Sequence, residues 1–250
     1  MRNASPRSPD AGGGFASIRS TLARLIGVVR GQRGLAVFVA TLAAIDLLFI
    51  GNYAVTRTLR SQGLDAGFLG REELRLTADH GYPEIFNYAK NLLVVLALAR
   101  LARSTRQLVY VALSAVFLLI LLDDSLAIHE RVGEVFVGAF SLRPALGLRA
   151  QDFGELATWA LLAGSLTPLL VLGLWRSDAR HAGVGLALLV PLVALFAFGV
   201  VFDQLYHVLK DSFAGAGILL DTIEDGGEML AMTAACALAL AAERSLARPR

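Results

Sequence analysis

The chain has 250 residues, 56% of them hydrophobic and 18% charged, with a mean hydropathy of +0.61. A soluble domain carries about a quarter charged residues, so this composition excludes an ordinary water-soluble globule. The net charge of +2 says little alone, a nucleic-acid role has no support, and the single cysteine, Cys236, excludes a disulfide framework and a Cys-based zinc site.

Residues 1–33 form a polar tail, with Arg2, Arg7, Arg19, Arg24, Arg30 and Arg33 against one acid, Asp10. It lacks the short apolar core and cleavage site of a signal peptide. Residues 16–30 place Ile18, Leu22, Leu25, Ile26 and Val29 on one helical face. Such a helix suits the inner membrane surface, and a disordered tail is the alternative.

Six apolar runs follow: 34–56, 83–102, 108–130, 154–175, 183–207 and 222–243. Each approaches the roughly 20 residues that cross a bilayer. The third and sixth do so only with their charged ends included, which leaves five and seven spans as the alternatives. The expected fold is all-α: a polytopic membrane bundle of six transmembrane helices over 34–243, between basic tails at 1–33 and 244–250.

Loop charge sets the expected orientation. The links "RLARSTRQ" and "WRSDARH" and the end "ERSLARPR" are basic like the N-terminal tail, whereas "RTLRSQGLDAGFLGREELRLTADHG" mixes both signs. With six spans the basic segments share one side, and the positive-inside rule makes that side, with both termini, cytoplasmic. An Ala/Leu/Arg-rich composition of bacterial character points to the inner membrane.

The acids then fall at the opposite end. At 1.5 Å of rise per residue, Glu84, Asp123 and Glu228 all lie roughly 22–25 Å above the inner boundary. Helical spacing groups Glu84, Asn87, Tyr88 and Asn91 on one face. It likewise groups Asp203, Tyr206, His207 and Lys210, and Asp221, Glu224, Asp225 and Glu228. Asp123, Glu130 and Glu134 mark a further stripe, with Asp124 beside it. Turned toward lipid, each stripe costs several kcal/mol, so they are expected to face one another around a polar, outward (periplasm)-facing cavity. First-turn acids also favour the positive end of a helix, which is the simpler account of Asp221, Glu155 and Glu134. It fails for Asp123 and Asp124, which sit late in their helix.

Lys90 and Asp46 lie at a similar, deeper level and are expected to form a structural ion pair. The remaining acids need proton sharing or a cation. Asp203 and His207, at i and i+4, together with His129, are the first candidates for metal ligands, joined by Glu130, Asp123 or Glu224. That mixture of carboxylate and imidazole suits zinc, iron, copper or manganese. Glu228 and Asp225 are the candidates for a general base. No H-E-x-x-H motif, serine nucleophile with an adjacent base, or phosphate-cradling glycine loop occurs.

The functional expectation is a membrane metalloenzyme acting on a lipid or small amphiphile, either a hydrolase or an oxidoreductase. A proton- or cation-coupled transporter, or an accessory or sensory subunit of a membrane complex, are the alternatives.

Overall fold

A computed structural model describes residues 12–246. Arg2, Arg7 and Asp10 of the expected N-terminal tail, and residues 247–250 of the C-terminal one, lie outside the described residues. Six helices are long and apolar enough to span a membrane, and the described chain contains no strand. The protein is therefore a multi-pass membrane helix bundle.

Residues Gly12–Gly31 form a helix, α1, which packs on α7 (Ala179–Phe196) and α9 (Ala216–Leu246). Its Leu25 is fully buried against protein. Gln32 breaks the chain, and α2 (Arg33–Ser61) follows as the first span. A loop with two 3-10 turns leads to α3 (Tyr82–Thr105), which Pro83 opens at its first turn, where the missing N–H costs nothing. Arg106, in the left-handed conformation, closes α3 and turns the chain into α4 (Leu108–Leu126).

The third apolar run does not continue to residue 130 as its hydropathy suggests. Ala127 adopts φ 49°, and the chain restarts as α5 (Ile128–Phe140). This amphipathic helix lies along the start of α6 (Ala150–Arg176). The contact is close because two glycines meet: a Cβ on Gly154 stands 2.8 Å from the carbonyl carbon of Gly133. The fifth span is also modified. After α7 the chain widens into a π-helical segment, Ala197–Phe202, and returns to α-helix in α8 (Asp203–Leu209).

Burial is uneven between the two ends. α9 is the most buried span and α6 the least. Alanines 231, 235, 239 and 242 let neighbouring helices approach α9 closely. The basic-loop half is packed solid by Leu98, Leu101, Val109, Leu113, Val184, Leu188 and Ala239. Gly173 and Gly185 seat Val109 there. In the other half the helices part around a cavity.

Between the halves, Lys90 and Asp46 form the ion pair their depth implies, at 2.7 Å, both essentially without solvent exposure. Lys90 also donates to the Met229 carbonyl at 2.8 Å, and Thr233 donates its hydroxyl proton to Asp46 at 2.6 Å. A buried ion pair is tolerable only when its spare donors and acceptors are used, and here they are.

Candidate functional site

The cavity encloses about 1220 Å³. Its polar wall includes Glu84, Asn87 and Tyr88 of α3, Asp124 of α4, His129, Glu130 and Glu134 of α5, and Glu155 of α6. Asp203, Tyr206 and His207 of α8 and Asp221, Glu224, Asp225 and Glu228 of α9 complete it. Below these the wall turns apolar, with Leu119, Ile120, Trp159, Leu162, Leu166, Leu170, Leu192, Phe196 and Met232. The α2–α3 loop covers the polar end through Arg75 to Asp79. Asn52 holds that loop by donating to the Leu69 and Leu74 carbonyls at 3.2 Å each.

Two expected members stand elsewhere, Asn91 and Asp123, while Lys210 ends its stripe at the surface. Asn91 is buried between α3 and α4; in the amide orientation that satisfies both partners it donates to the Phe117 carbonyl and accepts from the Leu121 N–H. Lys210 is exposed over the Tyr206 ring. Asp123 is fully buried behind the wall rather than in it. It faces the N-terminus of α5, where its two oxygens accept from the His129 backbone N–H and from ring Nδ1, both at 2.8 Å. The break at Ala127 makes this geometry: it aims the first turn of α5, with its unpaired N–H groups, at a carboxylate. An acid that opposes the dipole of α4 thus serves the dipole of α5.

His129 stands at the polar–apolar boundary, its ring 5.7 Å from that of Trp159. Nδ1 is taken by Asp123, and among the described residues Nε2 has no hydrogen-bond partner. Burial works against a charge on this imidazole. The bond to Asp123 and the carboxylates Glu155 and Glu130 outweigh it and hold the group above its ordinary value.

The second Asp–His pair is looser. His207 Nε2 lies 3.6 Å from Asp203 and 3.8 Å from Asp152. Arg149 donates from Nη2 to that nitrogen at 2.9 Å. Arg149 is itself fixed by Asp152, which accepts from Nε at 2.8 Å and from the Arg149 backbone N–H at 2.6 Å, a reciprocal cap on α6. Arg149 and Asp152 are absent from the sequence-based list of site residues. The spacing R-x-x-D ahead of an apolar helix is the signal that points to them.

Among the described residues, no three His, Cys, Asp or Glu side chains converge as metal ligands do. The expected ligands instead form two Asp–His pairs, with Glu130 and Glu224 separately placed on the wall. Glu228 lies against the π segment, where Gly199 leaves the space its carboxyl fills. Asp225 lines the same stretch. The two glycines before Glu228 admit neighbours: Gly227 faces the Phe198 ring, and a Cβ on Gly226 stands 3.1 Å from Ile50. Tyr53 donates its hydroxyl proton to Asp221, and Tyr88 donates to Glu84 at 2.5 Å.

Residues 34–242 match the model of a family described as a domain of unknown function, DUF8692. The chain belongs to this family. No curated protein and no solved structure matches it. The match reaches into all six spans and covers every cavity residue named above.

Proposed function

We propose that this protein is a membrane-embedded enzyme that takes a lipid or similar amphiphile from the outer leaflet and hydrolyses it by acid–base chemistry at His129. One observation carries the reading: a single cavity joins a carboxylate-and-histidine wall to an apolar one, with an Asp-oriented imidazole at their boundary. Its volume of about 1220 Å³ is above the roughly 300–1,000 Å³ of most small-molecule sites. A headgroup suits the upper wall and an acyl chain the lower. The basic loops at the opposite end support an outward-facing mouth.

In the proposed reaction, a water oxygen bonds to the ester centre while its proton passes to Nε2 of His129. Asp123 holds the ring and stabilises the cation that forms. The same proton then goes to the departing oxygen as the ester bond breaks. Glu228 and Asp225 line the cavity as further proton carriers.

A metal-assisted variant rests on the 3.6 Å between Asp203 and His207, a separation two ligands of one ion can share. Arg149 must leave the imidazole for zinc, iron, copper or manganese to bind there.

The test is mass spectrometry of lipids incubated with the full chain in nanodiscs made from a mixed bacterial lipid extract. A lipid consumed by the wild type and spared by His129→Asn is the expected result. Equal lipid profiles for both proteins and for empty discs overturn the reading. Elemental analysis of the purified wild type, Asp203→Ala and His207→Ala separates the two chemistries.

A further inference from the structure

Three arginines line the cavity: Arg57 on α2, Arg75 in the covering loop and Arg149. Arg149 already commits Nε and Nη2 to Asp152 and His207. The other two differ. Nε of Arg57 and Nε of Arg75 are both buried, and among the described residues neither has a hydrogen-bond partner. Arg75 commits Nη2 to Glu72 at 2.6 Å, and the guanidinium carbon of Arg57 lies over the Tyr53 ring, 5.9 Å from its centre. Both act electrostatically on Asp221, yet Asp221 accepts from Tyr53 and from neither arginine. Among the described residues no carboxylate accepts from either Nε, and in Arg75 the adjacent Nη2 is shared with Glu72.

A guanidinium presents Nε–H and a neighbouring Nη–H as a fork that fits two oxygens of one anion. A buried N–H without a partner is costly, and a ligand oxygen removes that cost. We infer that Arg57 and Arg75 form a subsite for a phosphate group at the covered end of the cavity. Carboxylates of the same wall, Glu84 and Asp225 among them, would be left to meet the remainder of the headgroup. That complementarity selects a phosphate ester bearing a positive charge, such as an amine-headed phospholipid. The inference rests on the amphiphile reading of the cavity and adds the headgroup chemistry to it.

The experiment is native mass spectrometry of the full chain in detergent. Its probes are dioleoyl phosphatidylethanolamine, dioleoylglycerol and inorganic phosphate. The wild type is expected to prefer the phospholipid over the diacylglycerol by about tenfold or more. Arg57→Lys and Arg75→Lys keep the charge opposite Asp221 and lose the fork. Each is expected to lose that preference while binding diacylglycerol as before, which separates loss of the subsite from loss of folding. Inorganic phosphate that competes as well as the phospholipid, with the same arginine dependence, supports the subsite and makes free phosphate its source. A preference unchanged in both variants overturns the subsite and leaves the amphiphile reading standing. Failure of both lipids to bind the wild type overturns both.

Discussion

The cavity holds two Asp–His pairs made in different ways. Asp203 and His207 sit one helical turn apart on α8, half-buried, and Arg149 competes for the imidazole. Asp123 and His129 are six residues apart across a helix break, the acid is fully buried, and it grips both the ring and the backbone of its partner. Proximity along a helix gives two groups a common face and nothing more. A defined tautomer and a free second nitrogen come from the junction between helices, because there a helix N-terminus fixes the acid as well.

Removing each acid in turn separates the two pairs most clearly. Asp123→Asn is expected to lower turnover by about 10²–10⁴-fold, the usual worth of a positioned acid–base group. Asp203→Asn is expected to change it far less. Parallel rates on the lipid identified by mass spectrometry check both, and equal losses erase the distinction drawn between the pairs.

A smaller effect is expected at the seam that positions α5. Gly154→Ala puts a methyl group against the Gly133 backbone and forces α5 from α6. Overpacking of this kind costs about 1–3 kcal/mol, which unfolding in detergent reads directly. The variant is expected to disturb His129, whose ring signals in NMR should shift, and to leave His207 in place.

The pH dependence sharpens the contrast further. Because His129 is held above its ordinary value, its contribution to stability is complete below about pH 6.5. It is lost as pH rises through the higher folded value. Turnover that needs the neutral ring rises over the same window. Thermal unfolding and rates measured from pH 5 to 9 are therefore expected to move in opposite directions, and His129→Gln is expected to flatten the unfolding trend. A last variant is Arg149→Ala. Its side chain is more than half exposed, but Asp152 is fully buried and would keep only the Arg149 backbone N–H, so a loss of about 1–3 kcal/mol is expected. Its use is to free His207 and show whether that ring then binds added zinc.

Much of this arrangement was legible from residues alone. Apolar runs long enough for a bilayer give the six spans, because hydrocarbon leaves few other solutions for a backbone. The same cost puts the stripes of α3, α8 and α9 around one cavity and pairs Lys90 with Asp46. What periodicity hides is any departure from it. Ala127 carries no glycine or proline to announce a left-handed residue, so 108–130 reads as one helix and Asp123 reads as a wall residue. Asn91 shares a face with Glu84, yet one face of α3 meets both the cavity and α4. Arg149 and Asp152 belong to a loop–helix boundary, where hydropathy is silent.

The π segment Ala197–Phe202 has a consequence for chain length. A π turn holds one residue more than an α turn, so deleting a single residue there would restore plain α-helix. The faces of α7 and α8 would stay in phase, and Asp203 and His207 would still point the same way. What would vanish is the widened turn in which Gly199 faces Glu228. Room for that carboxyl is thus a matter of residue count as well as residue choice, and relatives one residue shorter at this point should be expected to place something smaller than glutamate opposite it.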